Sequence, residues 1–141
     1  MNWTSIGELD LPSEAAAGKR AVDELLRRLQ EHEWQENDIF GVHLAVEEAL
    51  VNAIKHGNQY DDQKKVRFLF KLCKDRVRIE IIDEGEGFDP TEVPDPTDDD
   101  NLETPSGRGI MLMRNFMSFV EYNASGNHVV MEKVRENGAA H

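Results

Sequence analysis

Three short segments, which follow one another in a fixed order, constrain this chain more than any other feature. They are Glu48-Ala49-Leu50-Val51-Asn52-Ala53, Asp83-Glu84-Gly85-Glu86-Gly87-Phe88 and Ser106-Gly107-Arg108-Gly109-Ile110. They put a Glu/Asn pair on a helical pattern, an aspartate before a glycine turn, and a glycine pair at the start of another helix. Each segment is common by itself, but the combination is typical of a site that holds a nucleoside triphosphate through Mg²⁺.

The first half of the chain predicts one strand followed by two helices. Apolar residues from Ile6 to Leu11 indicate a strand that Pro12 ends, and Ser13 lies where a helix N-cap belongs,. The first helix has its apolar residues at helical spacing, namely at Ala17, Ala21, Val22, Leu25, Leu26 and Leu29.

The second helix is predicted to begin at a cap supplied by Asn37 and Asp38 and to run to about His56,. Gly57-Asn58 supplies the stop, at the place where a residue with positive φ usually sits. From its position at the helix end, His56 is interpreted as a packing or capping residue.

A line of polar side chains runs along this second helix. At about 100° per residue, Asn52 and Lys55 project close to the direction of Glu48, between apolar neighbours,. An amide oxygen together with phosphate oxygens can hold Mg²⁺, and a carboxylate one turn away can reach a metal-bound water or an incoming hydroxyl. The alternative is a hydrogen-bonded helix pair without a ligand, and the Glu/Asn pair by itself favours that alternative.

The remaining chain predicts four strands, a long loop and a third helix. Lys74-Asp75-Arg76 separates the first two of these strands and predicts a hairpin,. The segment from Phe88 to Pro105 is rich in proline and acidic residues, is long for a compact domain, and is interpreted as a lid. The strands are Val66–Leu72, Val77–Ile82, Phe119–Tyr122 and His128–Val134, and the helix runs from Ile110 to Met117.

The second segment is a glycine turn after a strand. Asp83 ends the strand, and Gly85 and Gly87 follow at once. An aspartate held there can accept a hydrogen bond from the exocyclic amine of adenine, and glycines let the backbone approach a flat ring closely. The alternative is a tight turn with a solvated acid. No helix follows the turn and the chain has no Gly-x-x-x-x-Gly-Lys-Ser/Thr, so dinucleotide-binding and P-loop interpretations are poor,.

The third segment opens a helix with glycines. Free backbone N–H groups at a helix start form an anion site suited to phosphates, and Arg108 adds a charged donor. The alternative is a plain helix N-terminus capped by Ser106. The order of the segments, from the helix pair through the turn and the lid to this helix, favours the phosphate site.

Composition limits the partners and the location of the protein. Its 141 residues suffice for one domain with a core, and a formal net charge of −12 at pH 7 argues against nucleic acid and anionic membranes as partners,. No apolar stretch approaches the roughly 20 residues of a membrane span, and no secretory signal is visible. Cys73 is the only cysteine and is interpreted as a buried structural thiol,. We therefore expect a cytoplasmic protein.

The three segments resemble the N, G1 and G2 boxes of the GHKL ATPase superfamily, which gyrase, the Hsp90 chaperones, histidine kinases and MutL share. Glu48-x-x-x-Asn52-Ala53-x-x-His56-Gly57 is similar to the N box of its anti-sigma factor serine/threonine-protein kinases. The resemblance runs from Leu11-Pro12-Ser13 to the last strand. It implies an α+β fold, a two-layer sandwich with a mixed, mainly antiparallel sheet and helices packed on one face (the Bergerat ATP-binding fold). The implied ATPase domain covers residues 1–135, with a lid at about 88–108 and a disordered tail at 136–141.

The resemblance also implies roles for single residues. It implies that Asn52 binds Mg²⁺, that Asp83 contacts the adenine amine of ATP, and that Glu48 takes the proton from a serine of an anti-anti-sigma (STAS-type) partner. A sigma factor is the implied target of sequestration, transcription regulation is the implied role, and a homodimer is compatible with the family. The implied nucleotide-binding set is Asn52, Lys55, His56, Asp83, Gly85, Gly87, Phe88, Ser106, Gly107, Arg108, Gly109 and Ile110.

One departure from the family pattern keeps a second function open. Some relatives carry an arginine immediately before the Ser-Gly of the third segment, where this chain has Pro105. Pro105 favours a catalytically inactive, nucleotide-gated module that only binds a partner, whereas Glu48 favours the kinase. A fold that binds no nucleotide is disfavoured, because the acidic, amide and glycine residues of all three segments are present.

Overall fold

The computed structural model describes residues 3–86 and 107–135, so the predicted tail and most of the predicted lid lie outside the described residues. The described chain forms five strands, three α-helices and one π-helix. In chain order they are β1 (Ser5–Pro12), α1 (Ala15–Glu31), α2 (Glu36–Val51), the π-helix (Asn52–Gly57), β2 (Lys65–Leu72), β3 (Arg76–Ile82), α3 (Gly107–Phe116), β4 (Phe119–Tyr122) and β5 (His128–Val134).

The strands form one sheet in the order β1-β2-β3-β5-β4. Every pairing among the described strands is antiparallel, which confirms the mainly antiparallel sheet. β2 and β3 form the predicted hairpin, and β4 and β5 form the closing one. β5 therefore lies between β3 and β4, and Met131 has Ile79 on one side and Val120 on the other.

The helices pack on this sheet, with α1 against β1 and β2, α2 against β5, and α3 against β4. Side chains on a strand alternate between its two faces, so every second residue of the inner strands points into the layer between sheet and helices. This arrangement confirms the predicted α+β two-layer sandwich. The core between the layers includes Phe68, Phe70, Leu72, Ile79, Ile81 and Met131 from the sheet and Leu25, Leu29, Val42, Val46 and Met113 from the helices.

The second predicted helix changes its geometry at the Glu/Asn pair. Asn52–Gly57 forms a π-helix, and the Asn58 N–H that follows it donates to the carbonyl five residues earlier at 2.8 Å,. The prediction of a positive φ at Gly57 or Asn58 is wrong, because the wider turn carries the chain further before it reverses. The positive φ angles fall at Gln59 (52°) and Tyr60 (57°).

The predicted helix caps are also wrong, because the helices begin at other residues and because Ser13 and Asp38 contact distant partners instead. α1 starts one residue too late for a Ser13 cap, and the Ser13 hydroxyl instead donates to the Lys64 carbonyl at 2.6 Å. α2 starts before Asn37 and Asp38, so both lie inside its first turn. The Asp38 carboxylate is buried there, 3.9 Å from the Lys133 Nζ.

Cys73 is buried, as predicted, and its thiol donates to the Asp75 carboxylate at 3.3 Å. Among residues 3–86 and 107–135, no helix combines the length and the apolar character that crossing a membrane requires.

Candidate functional site

The Glu/Asn pair lies at the junction between α2 and the π-helix. Glu48 is half-buried in the last turn of α2, and Asn52 is buried as the first residue of the π-helix. The Asn52 amide donates through Nδ2 to the Tyr122 hydroxyl at 3.3 Å. Because Tyr122 holds the nitrogen, the orientation of the amide is fixed, and its oxygen Oδ1 remains as the group that can bind a cation.

Tyr122 on β4 connects the predicted site residues, although it belongs to none of the three sequence segments. Burial raises the pKa of Tyr122 to about 12, against the effect of the Asn52 hydrogen bond, and the Asp83 and Glu48 carboxylates raise it further. Its hydroxyl therefore stays protonated at neutral pH. One signal in the sequence points to it: strand alternation puts Tyr122 on the same face of β4 as Val120, and both side chains pack against the core,.

Glu48 and its neighbour Glu47 lie in different surroundings. Burial raises the pKa of Glu48 above its ordinary value, and the Glu47 carboxylate raises it further. A carboxylate with a raised pKa binds a proton more tightly, which suits a proton acceptor. Glu47 is exposed, and one of its carboxylate oxygens lies 3.3 Å from His43 Nε2.

Asp83 is held in a buried position directly after β3, where its side chain is 8% exposed. Its carboxylate accepts the Gly85 N–H at 2.8 Å, and its own N–H donates to the Asn127 carbonyl at 2.9 Å. Burial raises the pKa of Asp83 to about 6, although the Gly85 N–H and the charge of Lys64 act in the opposite direction. Asp83 is therefore buried and hydrogen-bonded, which excludes the alternative of a tight turn with a solvated acid.

Two glycines bring the π-helix and the Asp83 turn into close contact. A Cβ on Gly57 would lie 2.5 Å from the Asp83 carboxyl carbon, and a Cβ on Gly85 would lie 2.0 Å from the Gly57 carbonyl oxygen. Nonbonded atoms do not approach so closely, so a side chain does not fit at either position. Both positions require glycine for this reason and not because their φ is positive. The first and second segments therefore meet in space.

The third segment begins α3, as predicted. The helix starts at Gly107, and Gly109 and Ile110 are buried in its first turn. The phosphate contacts of this helix stay a prediction. Three further predicted residues lie outside the described part of the chain: Gly87, Phe88 and Ser106.

The π-helix separates Lys55 from the Glu/Asn pair. Lys55 lines a groove of about 460 Å³ between α1 and α2, together with Lys19 and Tyr60, whereas Asn52 faces Tyr122 on the sheet. The α-helical rotation that aligned Lys55 with Glu48 does not hold in a π-helix, because each residue there turns through a smaller angle. His56 is half-buried in the same segment, and nucleotide contacts of Lys55 and His56 stay predictions.

The donor atoms at the site suit a cation that arrives with its own ligands. In the described part of the chain, no group of three or more histidine, cysteine, aspartate or glutamate side chains could hold a metal ion. A cation near Asn52 would depend on Oδ1 and on oxygens of water and of a bound nucleotide. Mg²⁺ is commonly held in this way, by few protein oxygens together with substrate phosphates.

These site residues lie within a segment that matches a known protein family. Residues 11–133 match the histidine kinase-like ATPase domain. The chain belongs to the histidine kinase-like ATPase family. All three sequence segments, and Tyr122 with them, lie within the match.

This histidine kinase-like ATPase is similar in sequence to two kinds of named protein. The "Serine-protein kinase RsbW" of Staphylococcus epidermidis is 30% identical over 116 residues, which cover 72% of this chain and 73% of that protein. The "Anti-sigma F factor" of Clostridium beijerinckii is 36% identical over 103 residues, which cover 69% of this chain and 71% of that protein.

A solved structure has the same fold. It is the crystal structure of the RsbU and RsbW domains of Rv1364c from Mycobacterium tuberculosis, with a TM-score of 0.65 and 17% sequence identity. The match covers 94% of this chain and 32% of the solved chain, so this chain spans about a third of the solved chain. At this identity the likeness concerns the fold alone.

Proposed function

We propose that this domain is an ATP- and Mg²⁺-dependent protein serine kinase, which phosphorylates a serine on an anti-anti-sigma partner and sequesters a sigma factor. The observation that carries the proposal is the α2/π-helix junction, where half-buried Glu48 precedes an Asn52 amide oriented by Tyr122. The relatives named as a serine-protein kinase and an anti-sigma F factor, at 30% and 36% identity, support the same activity and partners.

In this proposal the adenine of ATP lies against the Asp83 turn. The buried Asp83 carboxylate accepts a hydrogen bond from the exocyclic amine, which a charged acceptor binds well. The triphosphate lies at the start of α3, where free N–H groups favour anions, and Arg108 supplies a charged donor. Asn52 Oδ1 would hold Mg²⁺, which neutralises charge on the phosphates when it is bound.

Glu48 is the proposed proton acceptor of the transfer step. The serine oxygen of the partner forms a bond to the γ-phosphorus, ADP leaves with the electron pair of the broken P–O bond, and the serine proton passes to Glu48. Burial makes Glu48 a stronger base than an exposed glutamate, since it raises the pKa,. The other requirement of phosphoryl transfer is positioning, which the fixed Asn52 amide supports.

The first test measures nucleotide binding. Thermal unfolding of wild type and Asn52→Ala is followed with and without Mg·ATP. A ligand that binds only the folded state stabilises by about 2.7 kcal/mol at a hundred times its dissociation constant. We expect this shift in wild type and a much smaller one in Asn52→Ala. No shift in either protein would contradict both ATP binding and the kinase.

The second test measures phosphate transfer to a serine of an anti-anti-sigma partner protein. Glu48→Gln keeps the shape of the side chain but removes the proton acceptor, so we expect transfer to fall by about 10²- to 10⁴-fold, with ATP affinity retained. Glu47→Gln is the matched control, because it changes an exposed carboxylate next to Glu48. Transfer by Glu48→Gln at the wild-type rate would contradict the proposed role.

A nucleotide-gated binding module without catalysis is the second candidate, and Pro105 is the observation that favours it. It predicts that partner binding changes with ATP while no serine is phosphorylated by any variant.

The remaining features of the proposal follow from the family. The match over residues 11–133 supports one domain of residues 1–135, and a lid at about 88–108 belongs to the proposal on the ground of the sequence. Sequestration of a sigma factor would place the protein in the cytoplasm, in transcription regulation. Light scattering of the purified protein tests the proposed homodimer.

A further inference from the structure

Asn58 has a buried side-chain amide and follows directly after the π-helix. Its side chain is 1% exposed. Through Nδ2 it donates to the Ser13 hydroxyl and to the Lys65 carbonyl, both at 3.0 Å, and through Oδ1 it accepts the Glu84 N–H at 2.8 Å. Both amide hydrogens and one acceptor position are therefore used, which is the arrangement a buried amide needs.

These hydrogen bonds form a closed ring of three residues. Asn58 donates to the Lys65 carbonyl, the Lys65 N–H donates to the Glu84 carboxylate, and the Glu84 N–H donates back to Asn58. The ring joins the segment after the π-helix, the start of β2 and the turn after β3. A closed ring restricts the relative movement of its members more than separate hydrogen bonds do.

The ring holds the turn that carries Asp83. Glu84 lies between Asp83 and Gly85, so its N–H fixes the middle of the turn. The residue before Asn58 is Gly57, whose Cα side faces the Asp83 carboxylate and whose carbonyl faces Gly85. Asn58 therefore joins the end of the π-helix to the turn that carries the Asp83 carboxylate.

We propose that Asn58 is a positioning residue for base recognition, and that it sets the preference for adenine over a purine without the exocyclic amine. The inference rests on the proposed function, in which Asp83 accepts a hydrogen bond from that amine. Displacement of the turn would weaken this one bond and leave the phosphate contacts at α3 in place. The predicted effect is a loss of selectivity between bases, not a general loss of nucleotide binding.

The experiment compares ATP with inosine triphosphate, in which a carbonyl replaces the amine. Dissociation constants are measured by calorimetry at pH 8 with excess Mg²⁺. We expect wild type to prefer ATP by about 10- to 150-fold, the range for a hydrogen bond to a charged group. In Asn58→Ala we expect this ratio to fall at least about tenfold, through weaker ATP binding, with the inosine nucleotide affected by less than about threefold.

Two further variants keep the experiment decisive. Ser13→Ala removes the hydrogen bond from the Asn58 Nδ2 but leaves the bond between the Glu84 N–H and the Asn58 Oδ1 intact. It should therefore lower the melting temperature and leave the ratio of the two dissociation constants unchanged. Asp83→Asn should lose the preference for ATP. If Asn58→Ala does not fold, Asn58→Ser takes its place, because a serine hydroxyl keeps a polar group at the site but is too short to reach Glu84.

The outcomes separate the inference from the proposed function. A wild-type ratio in the Asn58 variant, with wild type selective for ATP, overturns the positioning role and leaves Asn58 a structural residue. A wild type that binds neither nucleotide, or both equally, overturns the proposed role of Asp83, and the inference fails with it. A preference for ATP that falls in Asn58→Ala and not in Ser13→Ala supports both the positioning role of Asn58 and the proposed role of Asp83.

Discussion

At the scale of single residues, the burial of Asp83 affects stability as well as recognition. Burial raises the pKa of Asp83 to about 6, whereas an exposed aspartate has a pKa of about 3.9. Between these values the folded protein binds more protons than the unfolded chain, so this group lowers stability as the pH rises from about 4 to 6. Well above pH 6 both states have lost the proton, so the loss of stability is complete and stays constant.

We therefore expect Asp83→Asn to stabilise the ligand-free protein at pH 8, on the order of 2 kcal/mol, because the amide has no charge to desolvate. The amide oxygen can still accept the Gly85 N–H. The gain should shrink as the pH falls below 6. Urea unfolding at several pH values measures it, with the exposed Asp62→Asn as control. A variant less stable than wild type at pH 8 would contradict this account of Asp83.

At the scale of elements, hydrophobic spacing predicts the α-helices and strands of the described chain, because each buries one face against a single core. The same spacing does not distinguish an α-helix from a π-helix in Asn52–Gly57, whose buried residues fit either geometry. This ambiguity is why the spacing alone does not fix the direction of Lys55, which lines the groove between α1 and α2. Rules based on neighbouring residues in the sequence also miss the hydrogen bonds of Ser13 and Tyr122. Their partners, Lys64 and Asn52, lie 51 and 70 residues away.

The contact between the π-helix and the Asp83 turn leads to a prediction for Gly57→Ala. The new Cβ would overlap the Asp83 carboxylate, so we expect destabilisation of about 1–3 kcal/mol and loss of the thermal shift with Mg·ATP. Gly18→Ala is the matched control: its Cβ would lie 3.0 Å from the end of the Ile54 side chain and at an ordinary contact distance of 3.9 Å from the Leu50 Cβ. Chemical unfolding and the thermal shift measure both variants, and an unaltered ATP response in Gly57→Ala would refute the packing argument.

At the scale of the whole molecule, the end of the sheet opposite Asp83 is closed by Arg135. Its guanidinium donates to the carbonyls of Lys74, at 2.9 Å, and Glu33, and it lies 5.4 Å from the centre of the Trp34 ring. One side chain thus joins the loop between α1 and α2, the turn between β2 and β3, and the end of β5. This end of the molecule is separated from the candidate site by the length of β3.

We expect Arg135→Ala to lower the free energy of unfolding by about 2 kcal/mol, since hydrogen bonds from a charged donor are lost. The affinity for Mg·ATP should not change, because the contacts lie at the far end of the sheet. Urea unfolding and calorimetry test the two parts separately. Arg27→Ala is the control, because its ion pairs with Glu24 and Glu31 are exposed and should contribute little,. A changed ATP affinity in Arg135→Ala would show that the two ends are coupled.

The strand order has a consequence for the synthesis of the chain. Among the described strands β5 is synthesised last, yet it lies inside the sheet between β3 and β4. Until residues 128–134 have been made, β3 has an unpaired edge in the middle of the future sheet, which is the type of surface that chaperones cover and that aggregation uses. Tyr122 belongs to the β4–β5 hairpin, so the growing chain cannot hold the Asn52 amide through Tyr122 until this hairpin has paired with β3.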